Sequence, residues 1–267
     1  MNLLGPADYL RLTPLLLPSP YFIAPRAVLK GVYPGAVFAD NPEEPSLALV
    51  WVANQRGYLI GSPQGERSLD FLGLIYGYMF PLLSTGENGT QLELAAPNNR
   101  RWLHFLDGAL ARFAPRVRYK LVYKFNHANW QKNRFKIPNL GDNLICYPEE
   151  RPLEADALTS PRDQRWVNSF SLHTILQPRD QNSPRCEASG IISDGDFLVK
   201  EQRCNPCLLV NHCAEQVGDA LLQILVQRNL TPWWATREDN LPGQQTGGLL
   251  GFSKVVCSYP VYTLNNE

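Results

Sequence analysis

The sequence predicts an α/β fold of two halves, with a smaller α/β half preceding the second. Three observations support this. Some segments alternate β-branched and apolar residues with a period of two, as strands do. Others repeat apolar residues three and four apart, as helices do. The second half follows the order β-β-β-α-β-α-β after a helical entry. The chain has 267 residues, the length of one large or two small domains. We expect an N-terminal domain at 1–147 and a second domain at 148–267.

The first half contains a β-rich stretch followed by two predicted helices. Residues 26–62 alternate like strands, and "DNPEEP" and "ANQRG" supply the turns. Apolar spacing predicts helices at 68–83 and 99–115, and "TQLELAAP" and "VRYKLVYKFN" are predicted strands. These elements would complete an α/β half by about residue 145. We find no short internal repeat, although the two halves could share an architecture and the first could be a degenerate copy of the second.

The second half is predicted from turn and periodicity signals. "RCEASGIIS" and "DFLVKEQ" form a hairpin around an Asp-Gly turn. "CLLVNHC" is a predicted strand, and a helix is expected from Gly218 to Asn229. The remaining predicted elements are a strand in "TPWWAT", a helix in "NLPGQQTGGLLGF" and a final strand in "KVVCSYPVYTL".

Composition argues against several classes of function. The 25 basic residues are balanced by 25 acidic ones, whereas nucleic-acid binders usually carry a basic excess. No apolar run reaches the roughly 18 residues of a membrane helix, and the N-terminus does not resemble a signal peptide. We therefore expect a cytoplasmic protein without nucleic-acid or membrane partners. A homodimer is left open.

A cysteine cluster offers a competing interpretation as a zinc site. Cys204, Cys207 and His212 have the spacing of a zinc knuckle, but Val217 stands where the fourth ligand should be. The intervening "LLV" is typical of a strand, which would pull the ligands apart. We expect no metal, and we interpret Cys207 and Cys213 as small buried hydrophobic residues.

The junction after this strand is predicted to bind an anion. If Val210 ends a strand and Gly218 begins a helix, the segment "EQVGDA" presents backbone N–H groups that lack intrahelical partners. Such a helix start attracts phosphate groups. An ordinary strand-helix turn is the alternative.

This junction resembles the pyrophosphate loop of GNAT-type N-acetyltransferases, whose pattern is Gln/Arg-x-x-Gly-x-Gly/Ala. The chain has Glu215-Gln-Val-Gly-Asp-Ala220 at this place. Downstream, Asn240, Gly251 and Phe252 resemble the Asn-x10-Gly-Phe ending of the same superfamily. "RNLTPWWATREDN", "YPVY" and the β-rich stretch of the first half resemble the zwittermicin A resistance-like branch of acetyltransferases.

The resemblance implies a mixed, mostly antiparallel sheet flanked by helices in the second half. It also implies a binding site for acetyl-CoA as co-substrate. Backbone groups near Leu209 and Val210 would pair with the pantetheine amides. Asn240 would bind the pantetheine arm or cap the last helix, and these two roles stay open. The residues implied to hold the diphosphate are Gln216, Val217, Gly218, Asp219 and Ala220.

The resemblance also implies direct transfer of an acetyl group to a primary amine of a small molecule, perhaps an antibiotic or aminopolyol. An acyl-CoA:amino acid N-acyltransferase and an inactive acyl-CoA-binding or interaction module are the alternatives. Asp196 and Tyr259 are the candidate catalytic residues, since the amine must lose a proton. Three residues depart from the family pattern. Glu215 places a negative charge near a diphosphate, Gly247 replaces a tyrosine acid, and Ala235 replaces an aspartate.

Overall fold

The computed structural model describes most of the chain as strands and helices. The described residues are 1–52, 56–63, 68–81, 91–137, 144–152, 170–178, 186–193, 196–204 and 213–265. The strands are β1 (Asn2–Leu3), β2 (Gly35–Ala39), β3 (Leu47–Val52), β4 (Arg56–Gly61), β5 (Gln91–Ala95), β6 (Arg116–Lys124), β7 (Leu144–Pro152), β8 (Phe170–Pro178), β9 (Cys186–Ser193), β10 (Asp196–Cys204), β11 (Thr231–Arg237) and β12 (Val255–Asn265). The α-helices are α1 (Ile23–Leu29), α2 (Ser68–Leu74), α3 (Arg100–Leu110), α4 (His127–Asn133), α5 (Cys213–Gln227) and α6 (Leu241–Leu249). A 3-10 segment covers Pro6–Leu16.

The same succession of elements occurs twice along the chain. The first repeat is β2-β3-β4-α2-β5-α3-β6, and the second is β8-β9-β10-α5-β11-α6-β12. The pairing repeats as well: β2, β3 and β4 are antiparallel neighbours and β4 pairs with β5 in parallel. Likewise β8, β9 and β10 are antiparallel and β10 pairs with β11 in parallel. The order of element types predicted for the second half matches the structure, and the first half shares it, but the leading strands differ. The structure has β8, β9 and β10, whereas the prediction counts β9, β10 and "CLLVNHC" and has no strand at 170–178.

The chain divides into two compact units. The bounds of these units differ from those of the two repeats, because the repeats exchange their last strands. Among the described residues, unit 1 holds 1–120 and 258–265, and unit 2 holds 121–152 and 170–257. In unit 1, β12 pairs antiparallel with β5, although β12 closes the second repeat. In unit 2, the end of β6 leads into Phe125, whose N–H donates to the Pro232 carbonyl beside β11 at 3.1 Å. The expected boundary after residue 147 falls inside β7 and differs from this division.

Unit 1 has an apolar core built on fully buried strands. All six residues of β3, "LALVWV", are buried. Trp102 and Leu106 of α3 are one turn apart and pack into the same cluster as Trp51. Strands buried on both faces need continuous apolar sequence, which is why β3 lacks alternation.

The described residues of unit 2 include a core cluster between its sheet and its helices. Leu221, Leu222 and Leu225 form the buried face of α5 and pack against Trp234 and Phe252. The helix α5 ends where Asn229 adopts a left-handed conformation, with a φ of 55°. The N–H of Leu230 then donates to the Leu225 carbonyl at 2.9 Å, which satisfies one of the last helical carbonyls.

The predicted start of α5 is wrong. The helix begins at Cys213, and Gly218 lies in its second turn. The acidic Glu215 in the first turn favours this earlier start, because it interacts well with the positive end of the helix. The predicted strand "CLLVNHC" lies outside the described residues, apart from Cys213.

Candidate functional site

The two parallel strands of unit 2 separate partway along their length. Residues Asp196–Val199 of β10 pair with Thr231–Trp234 of β11. Both strands then continue, β10 to Cys204 and β11 to Arg237, beyond the paired stretch. We interpret the pairing of Val199 with Trp234, where the ladder ends, as the vertex of a wedge between the ends of the two strands. We call the strand ends 200–204 and 235–237 the wedge arms.

An irregularity in β10 coincides with this separation. The antiparallel register between β10 and β9 shifts between Val199 and Glu201. Such a bulge inserts one unpaired residue and bends the strand that carries it. The irregularity begins immediately after Val199, where the pairing of β10 with β11 also ends.

A helix follows each arm of the wedge. The helix α5 comes after β10, and α6 comes after β11. The first turn of α5, from Cys213 to Glu215, carries N–H groups without intrahelical partners. In contrast, the N–H groups of Gly218 and Ala220 lie inside the helix, where they donate to carbonyls four residues earlier. The physical basis given for a diphosphate site at Gln216, Val217, Gly218, Asp219 and Ala220 is therefore absent.

The Asp219 carboxylate is fully used by contacts within unit 2. It accepts hydrogen bonds from Trp130 Nε1 at 2.7 Å and Gln223 Nε2 at 2.8 Å. Arg134 donates to both carboxylate oxygens, at 3.1 and 3.2 Å. The side chain is 14% exposed. Asp219 therefore joins α5 to the segment around α4, and it presents no free group to a ligand.

Glu215 is held toward the other helix of the wedge. Thr246 Oγ1 of α6 donates to Glu215 Oε1 at 3.2 Å, and Thr246 is buried. The Glu215 carboxylate therefore bridges the first turn of α5 to α6. Sequence reasoning missed Thr246, because nothing local marks it as a partner of a residue 31 positions away.

Asn240 caps α6, one of the two roles predicted for it. Its Oδ1 accepts from the Gly243 N–H at 3.2 Å, and its Nδ2 donates to Thr236 Oγ1 at 2.9 Å. The cap ties the start of α6 to the β11 arm. The downstream Gly251 has a φ of +91°, and a Cβ there would lie 2.9 Å from the Asn126 carbonyl oxygen, so only glycine fits.

Asp196 lies at the closed end of the parallel pairing. Its Oδ1 accepts from Trp233 Nε1 at 2.9 Å. Asp196 is three residues before Val199, which places it roughly 10 Å from the vertex along the strand. Lys124 Nζ lies 5.5 Å from the centre of the Trp233 ring. Trp233 is a partner that the sequence did not reveal.

The second predicted catalytic residue, Tyr259, belongs to unit 1. It is 4% exposed and stacks on Tyr21 with ring centroids 5.8 Å apart. Phe22 meets the same ring edge-on at 5.1 Å. The structure therefore places Asp196 and Tyr259 in different units, and it shows Tyr259 as part of an aromatic core.

Gly247 of α6 faces Trp234 at the vertex of the wedge. A Cβ at Gly247 would lie 3.6 Å from Trp234 Nε1 and 3.8 Å from the Phe252 Cβ, which is ordinary contact. The Trp234 indole N–H is buried, with no hydrogen-bond partner in the described part of the chain. The position would accept the Cβ of a side chain in ordinary contact with Trp234 and Phe252.

Some predicted site residues cannot be placed. Leu209, Val210, Cys207 and His212 lie outside the described residues. Within the described ranges no cluster of His, Cys, Asp and Glu could hold a metal ion. The described helices also include none that is long and apolar enough to cross a membrane.

Comparison with known proteins identifies relatives by fold and not by sequence. No protein-family model and no curated protein sequence matches the chain. Solved structures do match. A GCN5-related N-acetyltransferase-like protein from Streptococcus suis is 17% identical with a TM-score of 0.65, over 98% of this chain and 100% of that one.

Two further structures match over nearly the full length. A tandem GNAT protein from the clavulanic acid biosynthesis pathway is 11% identical with a TM-score of 0.58, covering 97% of this chain and 94% of that one. A GCN5-related N-acetyltransferase from Sphaerobacter thermophilus is 11% identical with a TM-score of 0.58, covering 99% of this chain and 94% of that one. The narrower resemblance to the zwittermicin A resistance-like branch stays a prediction. With its two repeats of one topology, the chain has the GNAT fold in a tandem arrangement.

Proposed function

We propose that the protein is an acyl-CoA-dependent N-acyltransferase that transfers acetyl from acetyl-CoA to a primary amine of a small molecule. The observation that carries the proposal is the separation of β10 from β11 after Val199 and Trp234. The GNAT-like fold of solved structures over nearly the whole chain supports it.

The wedge suits an extended ligand with amide groups. The backbone N–H and C=O groups that face the wedge have lost their neighbouring strand, and such groups require partners. A pantetheine arm carries two amides and could add to either edge as a short strand would. We assign this role to the wedge arms, in place of the predicted contacts at Leu209 and Val210.

The first turn of α5 is the proposed contact for the diphosphate. This turn follows the β10 arm, and its N–H groups are directed out of the helix. Glu215 is in the same turn, but its hydrogen bond from Thr246 directs the carboxylate toward α6. We therefore assign the diphosphate to backbone groups of 213–215 and not to side chains.

The chemistry requires an acyl donor at the vertex and an unprotonated amine beside it. Acetyl-CoA supplies the activated acetyl group. A backbone N–H near the vertex would donate to the acyl oxygen as negative charge develops there. Asp196 is the candidate to accept the amine proton through intervening water, since Trp233 Nε1 holds its carboxylate in place. Tyr259 has no role in this proposal.

A second candidate is an acyl-CoA-binding module without catalytic activity. The observation favouring it is Gly247, which stands where the resemblance implies a tyrosine acid, so this position supplies no proton donor. A leaving thiolate would then need protonation from solvent. The acceptor is a separate question, and an amino acid acceptor would use the same donor site.

The experiment is a calorimetric titration with acetyl-CoA followed by mass spectrometry of amine panels for acetylated product. Binding with product supports the transferase. Binding without product on aminopolyols, polyamines and amino acids favours the binding module. Absence of binding contradicts both candidates. Free coenzyme A is the control, because it should bind but yield no product.

A further inference from the structure

The helices that follow the parallel strands of the two repeats begin with the same cap. In the first repeat, Asn99 Oδ1 accepts from the Trp102 N–H at 3.1 Å. In the second repeat, Asn240 Oδ1 accepts from the Gly243 N–H at 3.2 Å. Trp102 and Gly243 therefore occupy equivalent positions, three residues after equivalent asparagines. The first repeat therefore has a tryptophan at this position, and the second has a glycine.

In the first repeat, β4 extends beyond its parallel partner. Residues Arg56–Tyr58 of β4 pair with Glu93–Ala95 of β5, and β4 continues to Gly61. Because β5 ends at Ala95, the last three residues of β4 have no partner in β5, whereas both strands of the second repeat continue beyond their pairing.

Trp102 covers the end of β4 that has no partner in β5. Its indole Nε1 donates to the Gly61 carbonyl oxygen at 3.0 Å, and Gly61 is the last residue of the β4 arm. The side chain is fully buried and packs in the same cluster as Leu59 and Leu94, which lie on the two strands. Trp102 lies on the helix that follows β5, and its ring reaches across to the last residue of β4. The Gly61 carbonyl, which could otherwise accept from a ligand amide, therefore already accepts from Trp102.

The equivalent position of the second repeat cannot be closed in this way. A Cβ on Gly243 would collide with the Asn240 amide and lie 3.0 Å from Thr236 Oγ1. Because the Asn240 amide also donates to Thr236 Oγ1, a side chain on Gly243 would displace the cap from its bond to the β11 arm.

We infer that the chain has one acyl-donor site, in the second repeat, and that Trp102 is an internal substitute for the donor in the first. The inference rests on the proposed function for the donor's identity. It assigns the first repeat a supporting role, with β5 pairing with the strand that closes the second repeat.

Native mass spectrometry of the full chain with excess acetyl-CoA measures the number of sites. One bound molecule per chain is expected. Hydrogen exchange with and without acetyl-CoA then locates it, and protection should be absent from 59–61. Two bound molecules, or protection of 59–61, would overturn the inference. If no acetyl-CoA binds, the proposed function fails, and the next experiment still decides whether Trp102 fills a ligand-sized space.

The substitution Trp102→Ala should leave a cavity that indole can fill. We expect a melting temperature lower by about 10 °C, largely restored by added indole. Wild type and Trp102→Phe are the controls, since their rings leave no such space and indole should not shift their melting. If Trp102→Ala requires indole during expression, removal of indole by dialysis should unfold it. If indole does not raise the melting temperature of Trp102→Ala, the inference that Trp102 fills a ligand-sized space is contradicted.

Discussion

Trp130 Nε1 donates to Asp219 Oδ1 at 2.7 Å, which joins α4 to α5 across 89 positions of sequence. Arg134 and Gln223 complete the set of donors around the same carboxylate. In the pattern that resembles a pyrophosphate loop, Asp219 occupies the variable position between Gly218 and Ala220. The structure uses this position to hold the helix that begins beside the β10 arm.

Asp219→Asn should destabilise the protein by about 2–3 kcal/mol, because the buried acceptor loses its charge and one oxygen becomes a donor facing other donors. Urea unfolding measures the change. Asp239→Asn is the matched control. Its ion pair with Arg237 spans 3.1 Å, but the two side chains are 51% and 48% exposed. The control should lose less than about 0.5 kcal/mol. Equal losses in both variants would contradict a structural role for Asp219.

Two glycines of α6 should respond oppositely to alanine. Gly243→Ala should destabilise, because its Cβ would collide with the capping Asn240 amide. Gly248→Ala should stabilise by about 0.5–1 kcal/mol, since nothing lies within 4 Å of the added Cβ and alanine favours helix. Thermal melting of the two variants against wild type tests the pair. Stabilisation by both would show that the cap does not exclude a side chain.

Local sequence signals predicted most of the elements but not their long-range partners. The hairpin of β9 and β10, the strand β11 and the helix α6 follow from alternation, turns and spacing, which act over a few residues. The predicted start of α5 is wrong because Gly218 is an interior glycine and not a start signal. An interior glycine is tolerated at about 1 kcal/mol when the helix packs well, as α5 does through Leu221 and Leu225.

The exchange of last strands and the partners of the site residues depend on tertiary structure. Nothing local distinguishes β12, which pairs with β5, from a strand that stays within its own repeat. The contacts of Asp196 with Trp233 and of Glu215 with Thr246 join residues 37 and 31 positions apart. Asn240 was predictable as a cap because that role requires only the next three residues.

Cys257 should react slowly with alkylating reagents in the folded protein. Burial raises the pKa of its thiol from 9.0 to about 11. The reactive thiolate is therefore a minor species at pH 8, about a hundredfold less populated than at a pKa of 9. Iodoacetamide labelling followed by peptide mass spectrometry should show about a hundredfold slower reaction at Cys257 in buffer than in urea.

The same pKa shift gives a pH dependence of stability. The folded state holds this proton more tightly than the unfolded state does. The contribution of the Cys257 thiol to the free energy of unfolding is therefore complete below about pH 9, and it is lost as the pH rises toward 11. Labelling at Cys257 should accelerate about tenfold per pH unit over this window. Equal rates in buffer and urea at pH 8 would contradict the burial of the thiol.

Glu215→Gln should strengthen acetyl-CoA binding about three- to tenfold at low salt, since it removes a negative charge near the proposed diphosphate contact. The gain should shrink at 1 M salt because ions screen the repulsion. Glu43→Gln, at an exposed position of unit 1, is the control and should leave the dissociation constant unchanged. Unchanged affinity in Glu215→Gln at low salt would place the diphosphate elsewhere.

Hydrogen exchange of the wedge arms tests the central claim most directly. Backbone amides of 200–204 and 235–237 should exchange more slowly when acetyl-CoA is bound, because a pantetheine arm would pair with these edges. Amides of β9 on the side paired with β8 should be unaffected. Saturating acetyl-CoA that leaves both arms unprotected would contradict the assignment of the donor to this wedge.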